Sequence, residues 1–440
     1  MKSKFFYIFC FLIFAFSLNA SQNVKQCKSS QGINFLYMQD NVTPLVHIMI
    51  SFKNCGSAYM SEDKSSLTRL YAEAVFCGVG DKTSTQLRQK LNNLSVSLVS
   101  DATEDDLCFY LTVPKMVLNE AVSLLNDVIK SPRFEEKEVK IIQNRLIGAN
   151  QNYALAPRKF ASDIFLPFYI FGSHPYRNGE LGDCEKILKL TIKDLKDYRS
   201  KYIVINNARA CIFGDVTENE ASLCLDTIFS GVEKGEQTKD FVKDAEIILS
   251  PNVKNYHMIG PQSTISFALK AVKPGSADRY AMILLYNIIG ASAFNSRIMT
   301  RLRKEEGLVY FGFINQVILS HAWYASGILQ TDNTKVEKAI TALREIIKNV
   351  REKGVTEEEL EFFKDNIKGK FLVSLRTSRA LGGFYFNKMR IGVDETPEEV
   401  VEKISKVTLK DVNKLASEIL DEEKMSFIVI GEQNKTEENQ

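Results

Sequence analysis

Thr191-Ile192-Lys193-Asp194-Leu195 (TIKDL) returns as Thr408-Leu409-Lys410-Asp411-Val412 (TLKDV), 217 residues further on (191 to 408). In both copies a Thr precedes an Asp by three residues at the head of an apolar run, which marks a helix N-terminus. Outward from these two helices the echo continues. Gly214 closes the strand-like run Ala208 to Gly214, and Gly431 closes Met425 to Ile430, again 217 residues later (214 to 431). Ala121 to Lys130 (AVSLLNDVIK) resembles Ala339 to Lys348 (AITALREIIK) at an offset of 218 (121 to 339). Three matches at nearly one offset argue for an internal duplication. Two copies do not make a solenoid. They make an α+β protein of two similar domains, each an antiparallel or mixed sheet packed with helices.

The period of the apolar residues fills in both copies. In the first, strands are predicted over Pro44 to Phe52 and Leu107 to Val113, and helices over Ser66 to Phe76, Val117 to Ile129 and Phe134 to Asn152. In the second, strands are predicted over Thr264 to Val272, Tyr310 to Leu319 and Trp323 to Thr331. Helices are predicted there over Arg279 to Ile289, Lys335 to Glu352, Thr356 to Leu375 and Leu409 to Leu420. Leu381-Gly382-Gly383, after a long helix, reads as a turn. The polar stretch beginning EKGEQTKDFVK reads as a linker. The expected layout is a signal at 1–20, a first domain at 21–232, a linker at 233–248 and a second domain at 249–440.

Lys2 and Lys4 before the apolar run Phe5 to Phe16 read as a secretory signal, with Ala20 as the residue before cleavage. The competing reading is an uncleaved anchor, for which the run is short. No later stretch reaches spanning length, so no membrane contact is expected after cleavage. A net charge of +2 without a long basic block gives no ground for a nucleic-acid partner. Seven cysteines remain after residue 20, an odd number, and no CxxC occurs. A dense disulfide framework and a cysteine zinc site are therefore not expected, although one or two bridges stay open. Most of these cysteines sit among apolar neighbours and read as small core residues.

One polar constellation stands out. In Arg301 to Gly312 (RLRKEEGLVYFG) a helix is expected to end at Gly307 and a strand to begin near Val309. Arg303 and Tyr310 then converge from a helix end and a strand start. An Arg offers a fork of N–H donors to a carbonyl, and a Tyr offers an O–H to a developing oxyanion. Taken alone, the Arg reads equally well as a cap and the Tyr as packing.

Two duplicated α+β domains with SRIMTRLRKEEGLVY in the second resemble the pitrilysin/insulinase metallopeptidases, the M16 family, whose domains are LuxS/mitochondrial-processing-peptidase-like. FGSHPYRNGELG (171–182), YIVINNARACIFGDV (202–216) and GVTEEEL (354–360) add to the likeness. The resemblance implies an inverted zinc motif, His-x-x-Glu-His, on a first-domain helix, with two His as ligands and the Glu as general base. The matching positions are Arg69, Leu70, Tyr71, Ala72 and Glu73. Arg69 and Glu73 replace the two His, and Ala72 replaces the base. The resemblance puts a further carboxylate ligand on the helix after Phe134, where Val139 to Gly148 (VKIIQNRLIG) has no acid. No two of His47, His174, His257 and His321 lie within helical reach, and His47 and His174 read as structural. No metal is expected in this chain.

The resemblance also implies that an Arg and a Tyr spaced like Arg303 and Tyr310 contact bound peptide near the scissile bond. In two-chain members one chain brings zinc and the metal-less chain brings that pair. The expectation is a non-catalytic, substrate-binding subunit of an exported, periplasmic or secreted, heterodimeric metalloendopeptidase. It is not catalytic alone. Its partners would be a catalytic M16 subunit with an intact motif, which carries the zinc, and an unfolded peptide. The alternative is an inactive peptide-binding or assembly subunit of the core-protein kind. A third option, an active enzyme with unusual ligands such as Glu73, needs both nitrogen ligands and the base replaced.

Overall fold

The computed structural model describes residues 24–154, 156–179, 184–291 and 295–432. The signal-like segment at 1–20 and most of the polar tail lie outside the described residues. Among the latter, no helix is long and apolar enough to cross a membrane.

The first half lays down β1 (Lys25–Lys28), β2 (Asn34–Gln39) and β3 (Leu45–Phe52), then a short hairpin of β4 (Gly78–Val79) and β5 (Lys82–Thr83). It continues with β6 (Ser97–Ala102), β7 (Leu107–Pro114) and β8 (Ala208–Gly214). The second half contributes β9 (Val253–His257), β10 (Gln262–Lys270), β11 (Val309–Ile318), β12 (Trp323–Asp332) and β13 (Ser426–Gly431). The first sheet has the order β1-β2-β8-β3-β7-β6, and the second, read from its far edge, β9-β13-β10-β12-β11. Apart from β1 the two orders correspond strand for strand. So do the directions: β2 runs parallel to β8 and β9 parallel to β13, while the other neighbours are antiparallel. The sheets are mixed, and the duplication read from TIKDL and TLKDV is a duplication of topology. Both motifs form capping boxes, in which the Thr hydroxyl accepts from the Asp N–H and the Asp carboxylate accepts from the Thr N–H.

Each sheet is covered on both faces, and the strands show it by alternation. Val46, Ile48, Ile50 and Phe52 of β3 point into the first core with helices Leu67–Ala74, Leu118–Lys130 and Ile192–Tyr202, while Met49 points the other way. On β13, Phe427 and Val429 face the second core, and Ile428 and Ile430 face outward. What covers the outward faces comes from the opposite half. Helix Ser378–Arg390 lays Leu381, Tyr385 and Phe386 on Met49, Cys211 and Phe213 of the first sheet. The helical run 157–170 lays Ala161, Leu166 and Ile170 on Ala268, Ile428 and Ile430 of the second. The exchange is reciprocal.

This corrects one expectation. Leu381-Gly382-Gly383 is helix interior, not a turn. Gly382 is there because the crossing helix rides close to the sheet: a Cβ would stand 3.2 Å from both Met49 Cε and Phe213 Cγ. At the end of this helix Arg390 meets buried Asp106, which also binds Arg209 of β8, each at 2.8 Å. That lock joins the halves.

Residues 233–248 carry no helix or strand. They are nevertheless held at many points. Asn207 Oδ1 accepts from the Thr238 N–H at 2.7 Å, and the Tyr59 hydroxyl donates to Asp240 at 2.8 Å. His321 lies within hydrogen-bond distance of Asp240 and Asp244. His174 Nε2 lies 2.8 Å from the Lys243 carbonyl. His47 pairs with Thr112 at 3.0 Å, and burial holds its pKa below the ordinary value. These three histidines are engaged in structural contacts. The six cysteines whose side chains are described are free thiols, five of them buried; burial pushes the Cys77 thiol up to about 12.

Candidate functional site

Helix Leu67–Ala74 packs against strand β6 and against helices Glu136–Ala154 and Ile192–Tyr202. Its inner face is fixed by Leu70, Tyr71 and Ala74, all fully buried; Tyr71 packs between Phe134 and Tyr198, with ring centroids 5.6 Å and 4.7 Å away. That packing turns Arg69 and Glu73, one helical turn apart, to the partly open side. Their side chains are 27% and 25% exposed. The Glu73 carboxylate is committed on both oxygens. Arg69 Nη2 lies 3.3 Å from Oε1, and Arg145 Nη2, from helix Glu136–Ala154, lies 2.5 Å from Oε2. Ala72 is buried, and its carbonyl accepts the Ser100 hydroxyl at 2.5 Å.

Zinc does not fit this arrangement. A catalytic zinc site needs three protein ligands and an open position. Here one carboxylate is shared by two guanidiniums, and no imidazole belongs to the cluster. Among the described residues no group of three His, Cys, Asp or Glu is disposed to hold a metal ion. With Ala72 at the fourth motif position there is no side chain to accept a proton. The structure thus brings Arg69 and Glu73 together and adds Arg145, which the sequence reading passed over. The signal is in the sequence: Arg145 stands in the acid-free segment Val139 to Gly148, where a cation replaces the expected carboxylate.

The second half presents its pair differently. Arg303 lies in the last turn of the π-helical segment Met299–Glu305 and is exposed. Gly307, at φ +59°, turns the chain into β11 in a backbone conformation that L side chains rarely adopt. The register of β11 against β12 slips between Val309 and Phe311, so Tyr310 is the extra residue of a β-bulge, 51% exposed. Bulges re-aim side chains and are frequent beside functional sites. Since β11 is an edge strand, the bulge aims Tyr310 from the rim of the sheet.

The neighbouring arginines act as scaffold. Arg297 makes a two-pronged contact with Glu359, 2.7 Å on each oxygen, and Arg301 pairs with Glu306 at 2.6 Å and with Glu345. Glu359 is also the capping-box acid of helix Glu357–Ser374. The segment carrying Arg303 is therefore pinned on both sides. The Arg303–Tyr310 pair belongs to elements of the second half, the triad to helices of the first.

Two descriptions of known families match this chain: "Insulinase (Peptidase family M16)" over residues 35–165 and "Peptidase M16 inactive domain" over residues 189–367. A Helicobacter pylori protein named "Non-peptidase homolog YmxG" is 23% identical over 426 residues, covering 95% of this chain and 96% of the relative. A crystal structure of a peptidase M16 inactive domain from Pseudomonas fluorescens superposes with a TM-score of 0.85 at 20% identity, covering 94% of this chain and 98% of that one. A protease from Helicobacter pylori superposes at 0.82 with 15% identity, covering 93% and 99%. These likenesses extend over both halves, and with the duplicated sheets and the altered motif helix they place the chain, as a member without the zinc motif, in the M16 peptidase family.

Proposed function

We propose that this chain is the non-catalytic, substrate-binding subunit of a two-chain M16 peptidase, exported to the periplasm or secreted. The observation that carries the reading is a contrast. The motif helix has both oxygens of its one carboxylate, Glu73, occupied by arginines, whereas Tyr310 is presented, half exposed, from a bulge on an edge strand. The partner would carry an intact motif and its metal; this chain supplies no metal ligand. A peptide held between the two would have its carbonyl bound by the Arg303 guanidinium. The Tyr310 O–H would donate to the oxygen on which negative charge develops.

The test is reconstitution with the intact-motif M16 chain of the same organism, assayed on an unstructured peptide. Activity is expected in the mixture and not in this chain alone. Tyr310→Phe should lower kcat by about 10²–10³, the usual cost of one oxyanion donor, with KM little changed. Unchanged turnover would sink the role of Tyr310. A stable complex without activity would favour an inactive peptide-binding or assembly subunit.

A further inference from the structure

A zinc ion held by two neutral imidazoles and one carboxylate carries one net positive charge, and ties together the elements that bear its ligands. The Arg69–Glu73–Arg145 cluster matches both properties. Two guanidiniums and one carboxylate also leave one net positive charge. Guanidinium stays ionised at any physiological pH. The contact of Arg145 with Glu73 at 2.5 Å joins helix Leu67–Ala74 to helix Glu136–Ala154. Arg69, one turn before Glu73 on the same helix, closes the cluster at 3.3 Å, and its Nε is buried without a hydrogen-bond partner among the described residues. Its guanidinium is thus set into the protein rather than waving in solvent.

We propose that this triad is a built-in substitute for the metal and its three ligands: a covalently attached ion cluster that clamps the two helices and keeps their net charge without their chemistry. The motif helix has only eight residues, too few to persist without tertiary support. Its buried face is held by Leu70, Tyr71 and Ala74, but a chain that lost its zinc ligands would lose the tie to helix Glu136–Ala154 on the partly open side. An ion triad restores the tie, needs no metal supply, and cannot activate water. The proposal does not depend on a peptidase partner, since it concerns how this chain holds its own helices.

The full chain tests it in two ways. In a double-mutant cycle, Glu73→Gln leaves two guanidiniums facing each other and should lower Tm by about 1–2 °C, more than Arg145→Gln does. The double variant should lose less than the two single losses added together. Additive losses, or no loss in Glu73→Gln, would overturn the clamp. The second test reverses the substitution: Arg69→His, Ala72→Glu, Glu73→His and Arg145→Glu together. The folded variant should bind about one zinc per chain, as a site of this ligand type does, and its Tm should then fall on adding a chelator. The parent chain should bind none and show no chelator effect. A folded reversal variant that ignores zinc, or a parent chain destabilised by a chelator, counts against the proposal. If the reversal variant does not fold, the cycle alone decides.

Discussion

Glu395 shows how a single carboxylate is set by its surroundings. It is 7% exposed and receives Lys388 at 2.5 Å, Lys403 at 2.7 Å and Arg279 at 2.9 Å. Burial pushes its pKa up, but the lysine contacts outweigh burial and hold it at about 2, below the ordinary 4.5. Burial likewise holds the Lys388 ammonium below its usual range. A group whose pKa is depressed on folding stabilises the fold above its unfolded value, and that stability is lost as pH falls through the folded value. The urea midpoint should therefore decline from about pH 4.5 towards about pH 2. Other carboxylates share this acid arm; Asp194, paired with Lys64 and the Thr191 cap, is also held at about 2 despite burial. Comparison with Glu395→Gln isolates one contribution. That variant should be less stable at neutral pH and should show a flatter acid arm. An acid arm as steep as the parent's would show that Glu395 contributes nothing to it.

At the scale of the element, helix Ser378–Arg390 has two adjacent glycines with opposite expectations. At Gly382 a Cβ would stand 3.2 Å from Met49 and Phe213 of the first sheet, closer than ordinary van der Waals contact. Gly382→Leu forces the helix off Met49 and Phe213 and should cost about 1–3 kcal/mol by overpacking. At Gly383 a Cβ would meet nothing within 4 Å. Gly383→Ala should stabilise by about 0.5–1 kcal/mol, the ordinary helix gain over Gly. Chemical denaturation of the two variants checks both signs. A stabilising Gly382→Leu would mean that the helix does not sit this close.

For the whole molecule, the reciprocal exchange makes each half part of the other's core. The outward face of the first sheet, with Met38, Met49, Cys211 and Phe213, is closed by a helix from the second half; the second sheet is closed by residues 157–170 of the first. The Arg390–Asp106–Arg209 lock reinforces the join. Calorimetry should accordingly give one transition, with calorimetric and van't Hoff enthalpies in agreement. A fragment ending near residue 232 should expose the uncovered face, bind a hydrophobic dye and associate. Two separated transitions would show that the halves are energetically independent.

The duplication, the mixed α+β class, the boundaries of the elements with a clear apolar period and the loss of the zinc motif were legible in the chain itself. These features are written locally, in apolar period, in Thr-x-x-Asp caps and in residue identities at fixed spacing. More was readable than was read. Helices Ser84–Asn93, Glu218–Ile228 and Pro397–Lys406 went unpredicted although each opens with the same kind of capping box, at Thr83, Thr217 and Thr396. Strands β1 and β2 were also passed over, being short and pattern-poor. The tertiary structure alone decided the rest: that Arg145 meets Glu73 across 72 residues, that Gly382 serves a close approach to a sheet more than 160 residues earlier in the chain, and that Tyr310 sits in a bulge. Each depends on how two distant segments are brought into register, and no local pattern of side chains encodes a distance between parts of the chain that meet only after both have folded.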